Sequence, residues 1–344
     1  MRRVTKIAAA SIASAALAFT ATACGESSTE SGGQDKGVGL AFDVGGRDDH
    51  SFNESAARGV DKAKKELGVD AKMMTAKNNE TEADREQRLS QLAEAGYNPV
   101  IGVGFNYEKS ITKVAKDFPD TTFGVVDAVA KGKNIDSMVF SEHEGSYLAG
   151  VAAALKTKTD KVGFIGGTQN ALIRKFEAGF IQGVKETKKD VKVVPEYLYP
   201  NNDKGFNDPA AAKAKAKGML DRDIDVIYTA AGQSGAGSVE SIAKKKGAWA
   251  IGVDSDQYLQ PGLAQYKESI LTSMMKNVDV AVFDLIKSVE DGKPLTGTNA
   301  YLLKDGGVRL AKSGGNIDDI MPQIEEAKEK IISGEIKVDE QPKG

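Results

Sequence analysis

The amino-acid sequence predicts an α/β protein with two doubly wound, mainly parallel sheets, each at the centre of its own lobe. From Val38 onward, short apolar runs alternate with amphipathic stretches of about 12 to 18 residues, the pattern of strands followed by crossover helices. This pattern occurs in two successive series of similar rhythm, and 344 residues exceed the length at which a single core keeps growing. We therefore expect two lobes with a cleft between them.

The strand candidates follow in chain order. Those of the first series end at Asp43, Thr75, Gly104, Asp127 and Glu142, and those of the second series end at Gly167, Leu198, Gly232 and Asp254. A helix-like stretch follows each of them. The helix after the second candidate begins with a capping-box pattern, in which Thr81 precedes Asp84 by three residues, and it stops at Gly96.

The chain is expected to pass between the lobes three times, near Phe140, Met274 and Pro294. The SEHEGSYLAG stretch begins the second series, whereas the ESILTSMMK run and the VDVAVFDLIKSVEDG helix resemble a return to the first lobe. The predicted division is a signal peptide at 1–23, a tether at 24–36, a first lobe of 37–140 plus 274–293, and a second lobe of 141–273 plus 294–344.

The N-terminus has the order of a bacterial secretory signal, with basic residues, an apolar stretch from Ile7 to about Phe19, and small residues up to Ala23. The apolar stretch is shorter than the roughly 20 residues that cross a bilayer. Cys24 is the only cysteine and follows directly, as in lipoprotein signals whose cysteine is lipidated. The alternative is an incidental small residue after an ordinary signal. A Gly/Ser-rich, polar tether reaching Lys36 would then hold the lobes off the extracytoplasmic face of the bacterial membrane.

Composition excludes several function classes. Hydrophobic residues make up 40% and charged residues 28%, which is ordinary for a water-soluble fold. The net charge is −3, and it falls to −6 without the first 23 residues, so nucleic acid is disfavoured as a partner. Two histidines, the absence of a nucleophile elbow and the absence of metal-ligand spacing predict no enzyme, no cofactor and no metal.

Three aspartates follow apolar strands at their carboxyl ends, where open α/β sheets bind ligands: Asp43, Asp127 and Asp254. For any one of them, a helix N-cap is an equally good explanation. Together with Asp48 and Asp49, the first resembles the aspartate cluster of a calcium-dependent nucleoside hydrolase, which makes that enzyme the rival class. A ligand-free surface adhesin is a third class, but it has no need of paired strand-end carboxylates.

Two Phe-Asn dipeptides recur at helix starts, one in each predicted lobe: Phe52-Asn53 and Phe206-Asn207. Each alone is explained by a hydrophobic staple, in which an apolar residue packs on the first helical turn. As a pair across the cleft they could clamp a flat ring. Stacking is worth roughly 1 to 3 kcal/mol per base.

The stretch LAFDVGGRDDHSFNESAARGV, the lipoprotein-type signal, and the segments GVVD, SEHEGSYLAGVAA, GFNDPAAA and GVDSDQ resemble the basic membrane protein family. This family comprises surface lipoproteins and includes purine nucleoside receptors of bacterial ABC importers. The resemblance covers the mature chain and implies a type I periplasmic-binding-protein fold, an ABC permease as partner, and a nucleoside such as guanosine, adenosine or inosine as ligand. It assigns the ring clamp to Phe52 and Phe206, base contacts to Asp43 and Asn53, and ribose contacts to Asp127, Asp254 and Lys276.

These assignments are chemically consistent with a nucleoside. Ribose hydroxyls donate and accept hydrogen bonds, so acceptor-only carboxylates and a donor lysine complement them. The alternative for Lys276 is an ordinary surface lysine at a helix N-terminus. Within binding proteins the runner-up is a pentose or hexose receptor, because the same fold and aromatic clamp also serve sugars.

Overall fold

The computed structural model describes residues 36–77 and 79–343. The predicted signal peptide and Cys24 lie outside these residues, as does the tether except Lys36. In the described part of the chain, strands and helices alternate, and the predicted α/β class is confirmed. None of the described helices combines the length and apolar character that crossing a bilayer requires.

The strands within the described residues have the following bounds: β1 (Val38–Ala41), β2 (Ala71–Met74), β3 (Val100–Gly102), β4 (Phe123–Val126), β5 (Ile135–Phe140), β6 (Lys161–Thr168), β7 (Lys192–Tyr199), β8 (Val226–Ala230), β9 (Trp249–Asp254), β10 (Ile270–Lys276), β11 (Gly297–Tyr301) and β12 (Val308–Leu310). The α-helices have these bounds: α1 (Phe52–Leu67), α2 (Glu82–Glu94), α3 (Glu108–Val114), α4 (Glu142–Lys156), α5 (Ala171–Thr187), α6 (Pro209–Leu220), α7 (Gly235–Ile242), α8 (Val278–Glu290) and α9 (Met321–Ile332).

The strands form two sheets of matching order. The first sheet runs β11-β5-β4-β3-β1-β2, and the second runs β12-β10-β9-β8-β6-β7. All described pairings are parallel except that between β10 and β12. Because inner strands of such sheets are covered on both faces, they are continuously apolar; β1, for example, is buried at every position. We call the elements around each sheet the first half and the second half.

The start of α2 confirms the capping box that the sequence predicted. The hydroxyl of Thr81 accepts a hydrogen bond from the backbone N–H of Asp84, and the Asp84 carboxylate accepts one from the backbone N–H of Thr81. Two of the donors left unpaired at a helix N-terminus are satisfied in this way. The last predicted strand of the first series is shorter than expected, since β5 ends at Phe140 and α4 already begins at Glu142.

Two of the expected crossing positions need correction. The ESILTSMMK run does not return to the first half, because β10 pairs with β9 and β12 in the second sheet up to Lys276. The crossing expected near Pro294 is also misplaced, because β11 pairs with β5 of the first sheet and the chain changes sheets only after Tyr301. β10 is buried at every position, and a fully buried strand has no periodicity that shows which sheet it joins. The other predicted boundaries stay predictions.

Glycines set the close approach of helix pairs that cover each sheet. A Cβ at Gly179 of α5 would lie 1.9 Å from the carbonyl oxygen of His143 in α4, and one at Gly59 of α1 would lie 2.5 Å from that of Asp279 in α8. No side chain fits at either position. The α1–α8 contact therefore anchors α8 to the first half, although β10 before it belongs to the second sheet.

A ligand cavity at the carboxyl ends of both sheets

One cavity lies where the carboxyl ends of strands from the two sheets face each other. The space between its atoms is about 550 Å³, part of it open to solvent. All of the residues assigned by the sequence to ligand binding line it: Asp43, Phe52, Asn53, Asp127, Phe206, Asp254 and Lys276. The structure therefore brings together side chains that are up to 233 positions apart in the chain, from 43 to 276.

Lys276 is the cation of this cavity and is buried, with a side chain only 2% exposed. Its Nζ lies 2.6 Å from Asp127 Oδ2 and 3.7 Å from Glu142 Oε1. Burial alone lowers the pKa of Lys276, but the carboxylates of Asp127, Asp254 and Glu142 outweigh it and raise this pKa above its usual value. Lys276 is therefore charged at neutral pH, and the surface-lysine alternative is wrong.

Aromatic rings complete the surroundings of this ammonium group. The Nζ of Lys276 lies 4.8 Å from the ring centroid of Phe52 and 5.4 Å from those of Phe140 and Phe176. The negative faces of aromatic rings attract cations at such distances. Lys276 thus connects the carboxylate cluster to the ring of Phe52, which the sequence assigned to stacking.

Asp127 and Asp254 occupy equivalent places, just after β4 and at the end of β9, the third strands from the β11 and β12 edges. Both have left-handed backbones, with φ of 68° and 62°. Asp254 Oδ2 accepts a hydrogen bond of 2.7 Å from Ser51 Oγ of the first half. Asp127 Oδ1 is buried without a hydrogen-bond partner in the described part of the chain. An acceptor left in this state is complementary to a ligand hydroxyl.

At the other end of the cavity, Asp43 is held by its neighbours. Its backbone N–H donates to Asn53 Oδ1 at 3.0 Å, and its Oδ1 accepts from the backbone N–H of Val44 at 2.8 Å. Burial raises the pKa of the Asp43 carboxyl to about 7, although the Val44 hydrogen bond opposes the rise. Asn53 gives both amide hydrogens to protein acceptors, the Val44 carbonyl and Asp49. Its geometry therefore orients the Asp43 loop and leaves no free donor for a ligand.

Phe206 reaches the cavity from a short 3₁₀ helix, Asp203–Phe206, that follows β7. A Cβ at Gly167 would lie 2.7 Å from an atom of the Phe206 ring, so glycine is needed there for the ring to take this place. Phe105 of the first half approaches Phe206 edge-on, with centroids 6.4 Å apart. The two aromatic residues predicted as a clamp both line the cavity.

Sequence reasoning missed several residues of the site. The sequence assigned no ligand contact to Asp49, which is buried and accepts backbone N–H bonds from Ser51, Asn53 and Glu54, so it caps α1. Its position three residues before the first residue of α1 is a usable signal for such a cap. Glu142 was read as the end of a strand, and nothing in its spacing indicated a place beside Lys276. The apolar wall of Leu172, Ile173 and Phe176 is indistinguishable from helix core by sequence.

No group of three or more His, Cys, Asp or Glu side chains within the described residues is arranged to hold a metal ion. Asp43, Asp48 and Asp49, which resemble the calcium-binding aspartates of a nucleoside hydrolase in sequence, are therefore not arranged as a metal site.

A family profile described as ABC transporter substrate-binding protein PnrA-like matches residues 36–342. The chain belongs to this family. Its members are substrate-binding proteins of ABC transporters and not enzymes, and those of importers work on the extracytoplasmic side.

Each of the following relatives is similar to this chain over most of both proteins' lengths. The chain is 35% identical to the ABC transporter nucleoside-binding protein BmpA of Lactococcus lactis subsp. cremoris, over 96% of this chain and 98% of that protein. It is 36% identical to a CD4+ T-cell-stimulating antigen of Listeria innocua, over 93% and 94%. Among solved structures, an ABC transporter solute-binding protein of Aeropyrum pernix K1 superimposes with a TM-score of 0.76 at 30% identity, covering 88% and 92%. The predicted family and periplasmic-binding-protein fold are confirmed.

Proposed function

We propose that this protein binds purine nucleosides in the cavity between its two halves and delivers them to the permease of an ABC importer. We further propose that it does so as a lipid-anchored protein on the extracytoplasmic face of a bacterial cell membrane. The observation that carries the first proposal is the mixed lining of this cavity. Carboxylates surround Lys276 in what we call the charged end, and Phe206 with the apolar residues of α5 lines what we call the aromatic end. The two ends adjoin, because the ring centroid of Phe52 lies 4.8 Å from Lys276 Nζ. A nucleoside likewise joins a hydroxylated sugar to a flat ring.

The charged end suits ribose. Vicinal hydroxyls can donate to Asp127 Oδ1 and Asp254 and accept from Lys276, and each such charge-assisted bond contributes about 1.5 to 3 kcal/mol. A free base would leave these buried groups unpaired, which is penalised by a similar amount. Nucleosides are therefore expected to bind better than free bases.

The aromatic end favours a nucleoside over a simple sugar. Phe52, Phe206 and the apolar wall of α5 line the cavity, and aromatic rings of this kind stack well on a flat base. Asp43 lines the same cavity and offers the heteroatoms of a base a hydrogen-bonding partner. The relative from Lactococcus lactis, whose name states nucleoside binding, supports the same ligand class.

Titration calorimetry tests this proposal. Guanosine, adenosine or inosine should bind the purified protein far more tightly than ribose, glucose or hypoxanthine. Phe52→Ala and Phe206→Ala should each weaken nucleoside binding by about 5- to 150-fold through lost stacking. Tyr266→Ala, which removes a ring outside the cavity, is the matched control. Tight binding of a hexose, or unchanged nucleoside affinity in both phenylalanine variants, would favour the sugar receptor instead.

The anchor has a separate test. Diacylglyceryl modification of Cys24 supplies two acyl chains, which is the number needed for stable membrane attachment. Cys24→Ser should therefore release the protein from the membrane fraction into the medium, as followed by immunoblotting of both fractions. A serine variant that stays with the membrane would contradict lipid anchoring and leave the ligand proposal untouched.

A further inference from the structure

Glu142 is a buried carboxylate that lies behind the cavity wall. Its side chain is 2% exposed, and its Oε1 lies 3.7 Å from Lys276 Nζ. Lys276 and Asp127 are among the residues that line the cavity, whereas Glu142 is not. An effect of Glu142 on a ligand would therefore pass through Lys276.

The ammonium group of Lys276 keeps donors for a ligand. It has three N–H groups, and the Asp127 carboxylate accepts one of them at 2.6 Å. Among the described residues, no other acceptor lies within hydrogen-bonding distance of this group. At 3.7 Å the Glu142 carboxylate is too far away to accept an N–H, but it is close enough to attract the charge. Two N–H groups are therefore left for ligand hydroxyls.

The two carboxylates that pair with Lys276 come from different halves. Asp127 follows β4 of the first half, whereas Glu142 begins α4, which packs on α5 and β10 of the second half. In the described part of the chain, Lys276 forms ion pairs with these two carboxylates alone. Its ammonium group is thus held between two attractions that act from different sides of the cavity.

The turn that carries Glu142 is fixed without the help of Lys276. The backbone N–H of Leu303, after β11, donates to Ser141 Oγ at 3.0 Å and to Glu144 Oε2 at 3.3 Å. These bonds tie the start of α4 to the segment that follows β11. Glu142 therefore provides a charge at a fixed place.

This inference rests on the proposed nucleoside function. We propose that Glu142 is a positioning residue, whose carboxylate counters the pull of Asp127 on the ammonium group of Lys276 and so directs the two remaining N–H groups at the sugar hydroxyls. When Glu142 is neutral, Asp127 draws the ammonium group towards itself, and these N–H groups lose their alignment. Ionised Glu142 therefore strengthens nucleoside binding.

The groups around Glu142 make this effect depend on pH. Lys276 of β10 and Lys175 of α5 favour the ionised carboxylate, but burial and the neighbouring Asp127 raise its pKa to about 7. Tyr228 of β8 stays uncharged, because burial raises its pKa well above the usual value. Glu142 is therefore neutral at pH 5 and mostly ionised at pH 8, and its contribution to nucleoside affinity should appear as pH rises through about 7.

Calorimetry with guanosine at pH 5 and pH 8 compares the unmodified full chain with Glu142→Gln. Both proteins should bind equally at pH 5, because neither carries a charge at position 142. At pH 8 the unmodified protein should bind about 10-fold more tightly, which corresponds to a decrease of about one unit in the pKa of Glu142 on binding. Burial also raises the pKa values of Asp43 and Asp49 to about 7, but both residues are present in the two proteins and cancel in the ratio.

Glu144→Gln is the matched control, because it removes a carboxylate from the same helical turn that forms no ion pair with Lys276. The ratio of guanosine affinities at pH 8 and pH 5 should be the same in this variant as in the unmodified protein. A ratio that fell as far as in Glu142→Gln would assign the effect to the turn and overturn the role of Glu142.

Deoxyguanosines test whether the effect passes through Lys276. In 2′-deoxyguanosine or in 3′-deoxyguanosine, the hydroxyl that Lys276 contacts is missing, so the advantage of the unmodified protein at pH 8 should shrink for at least one of them. An advantage of equal size for guanosine and both deoxyguanosines, or equal guanosine affinities of the two proteins at pH 8, would overturn the inference while the nucleoside function stands. If guanosine does not bind the unmodified protein, it is the proposed function that fails.

Discussion

The two sheets match in strand order and differ in the direction of one edge strand, β12, yet their carboxyl ends carry different chemistry. β4 and β9 are equivalent, and each is completed by an aspartate with a left-handed backbone, Asp127 and Asp254. β5 and β10 are also equivalent, but β5 ends in Phe140 and β10 ends in Lys276. The repeated scaffold thus supplies two acceptors, and a single departure from the repeat supplies the cation between them.

The halves differ again at the aromatic end. Both halves contribute aromatic rings, but the polar groups Asp43 and Asn53 come from the first half and the apolar wall of α5 comes from the second. A flat, asymmetric ligand needs such a difference, because two identical faces would bind it equally well in reversed orientations. We infer that the pseudo-symmetry positions the side chains and that the differences between halves orient the ligand.

The largest effect is expected where the two halves differ most, at Lys276. Lys276→Met would leave Asp127, Asp254 and Glu142 buried without their cation, and uncompensated buried charge costs about 3 to 5 kcal/mol. The free energy of unfolding at pH 7.5, measured in urea, should fall by about this amount. Nucleoside affinity should fall by about 100-fold or more.

Lys287→Met is the matched control, because Lys287 lies on α8 and is half-exposed beside Asp291. This exposed pair should change stability by less than about 0.5 kcal/mol. If both methionine variants behaved alike, Lys276 would have no special electrostatic role.

The equivalent aspartates offer the next comparison. Asp127→Asn and Asp254→Asn should each weaken nucleoside binding by about 10- to 150-fold, because each removes a charged acceptor for a ribose hydroxyl. Binding of a free purine base, which lacks the ribose, should change little in either variant. Calorimetry with guanosine and guanine measures both effects. An equal loss for nucleoside and base would show that the aspartates shape the cavity without contacting the sugar.

The carboxyl groups of Asp127, Asp254 and Glu142 surround the ammonium group of Lys276, so carboxyl groups are in excess. A variant of Glu142 tests the effect of this excess on stability. Burial raises the pKa of Glu142 to about 7 despite the attraction of Lys276, compared with an ordinary value of 4.5. A carboxyl with a raised pKa stabilises the fold at low pH, and this contribution is lost as pH rises through about 7. Between pH 5 and 8, the ligand-free protein should therefore lose stability relative to Glu142→Gln, by an amount on the order of 2 kcal/mol.

Urea unfolding at several pH values measures this slope. Glu290 is an exposed glutamate at the end of α8. The curve of unfolding free energy against pH for Glu290→Gln should therefore run parallel to that of the unmodified protein. A Glu142→Gln curve that also ran parallel would mean that Glu142 stays ionised throughout the range.

The sequence predicted those parts of the molecule that local chemistry decides. Alternating apolar runs and helix caps identified most strands and the start of α2, and strand-end aspartates indicated the cavity. The partners of buried charges were not predictable, because Glu142 and Lys276 are 134 positions apart and meet only through the order of the sheets. The sheet assignment of β10 and β11 failed for the same reason, since pairing partners and not local pattern decide it.

The smallest effect is expected at one of the hydrogen bonds between the halves. Ser51 Oγ is buried and donates to Asp254 Oδ2 at 2.7 Å, so the carboxylate that faces the cavity also links the two halves. Removing a hydrogen bond of this kind costs about 0.5 to 1.5 kcal/mol, so Ser51→Ala should weaken nucleoside binding by about 2- to 13-fold. Because the bond exists only when the halves are together, the loss should appear mainly as faster dissociation, measured by stopped-flow fluorescence. Ser313→Ala removes a similar Ser–Asp bond, to Asp256 within the second half, and should leave dissociation unchanged. Equal dissociation rates in both variants would mean that the Ser51 contact does not stabilise the closed arrangement.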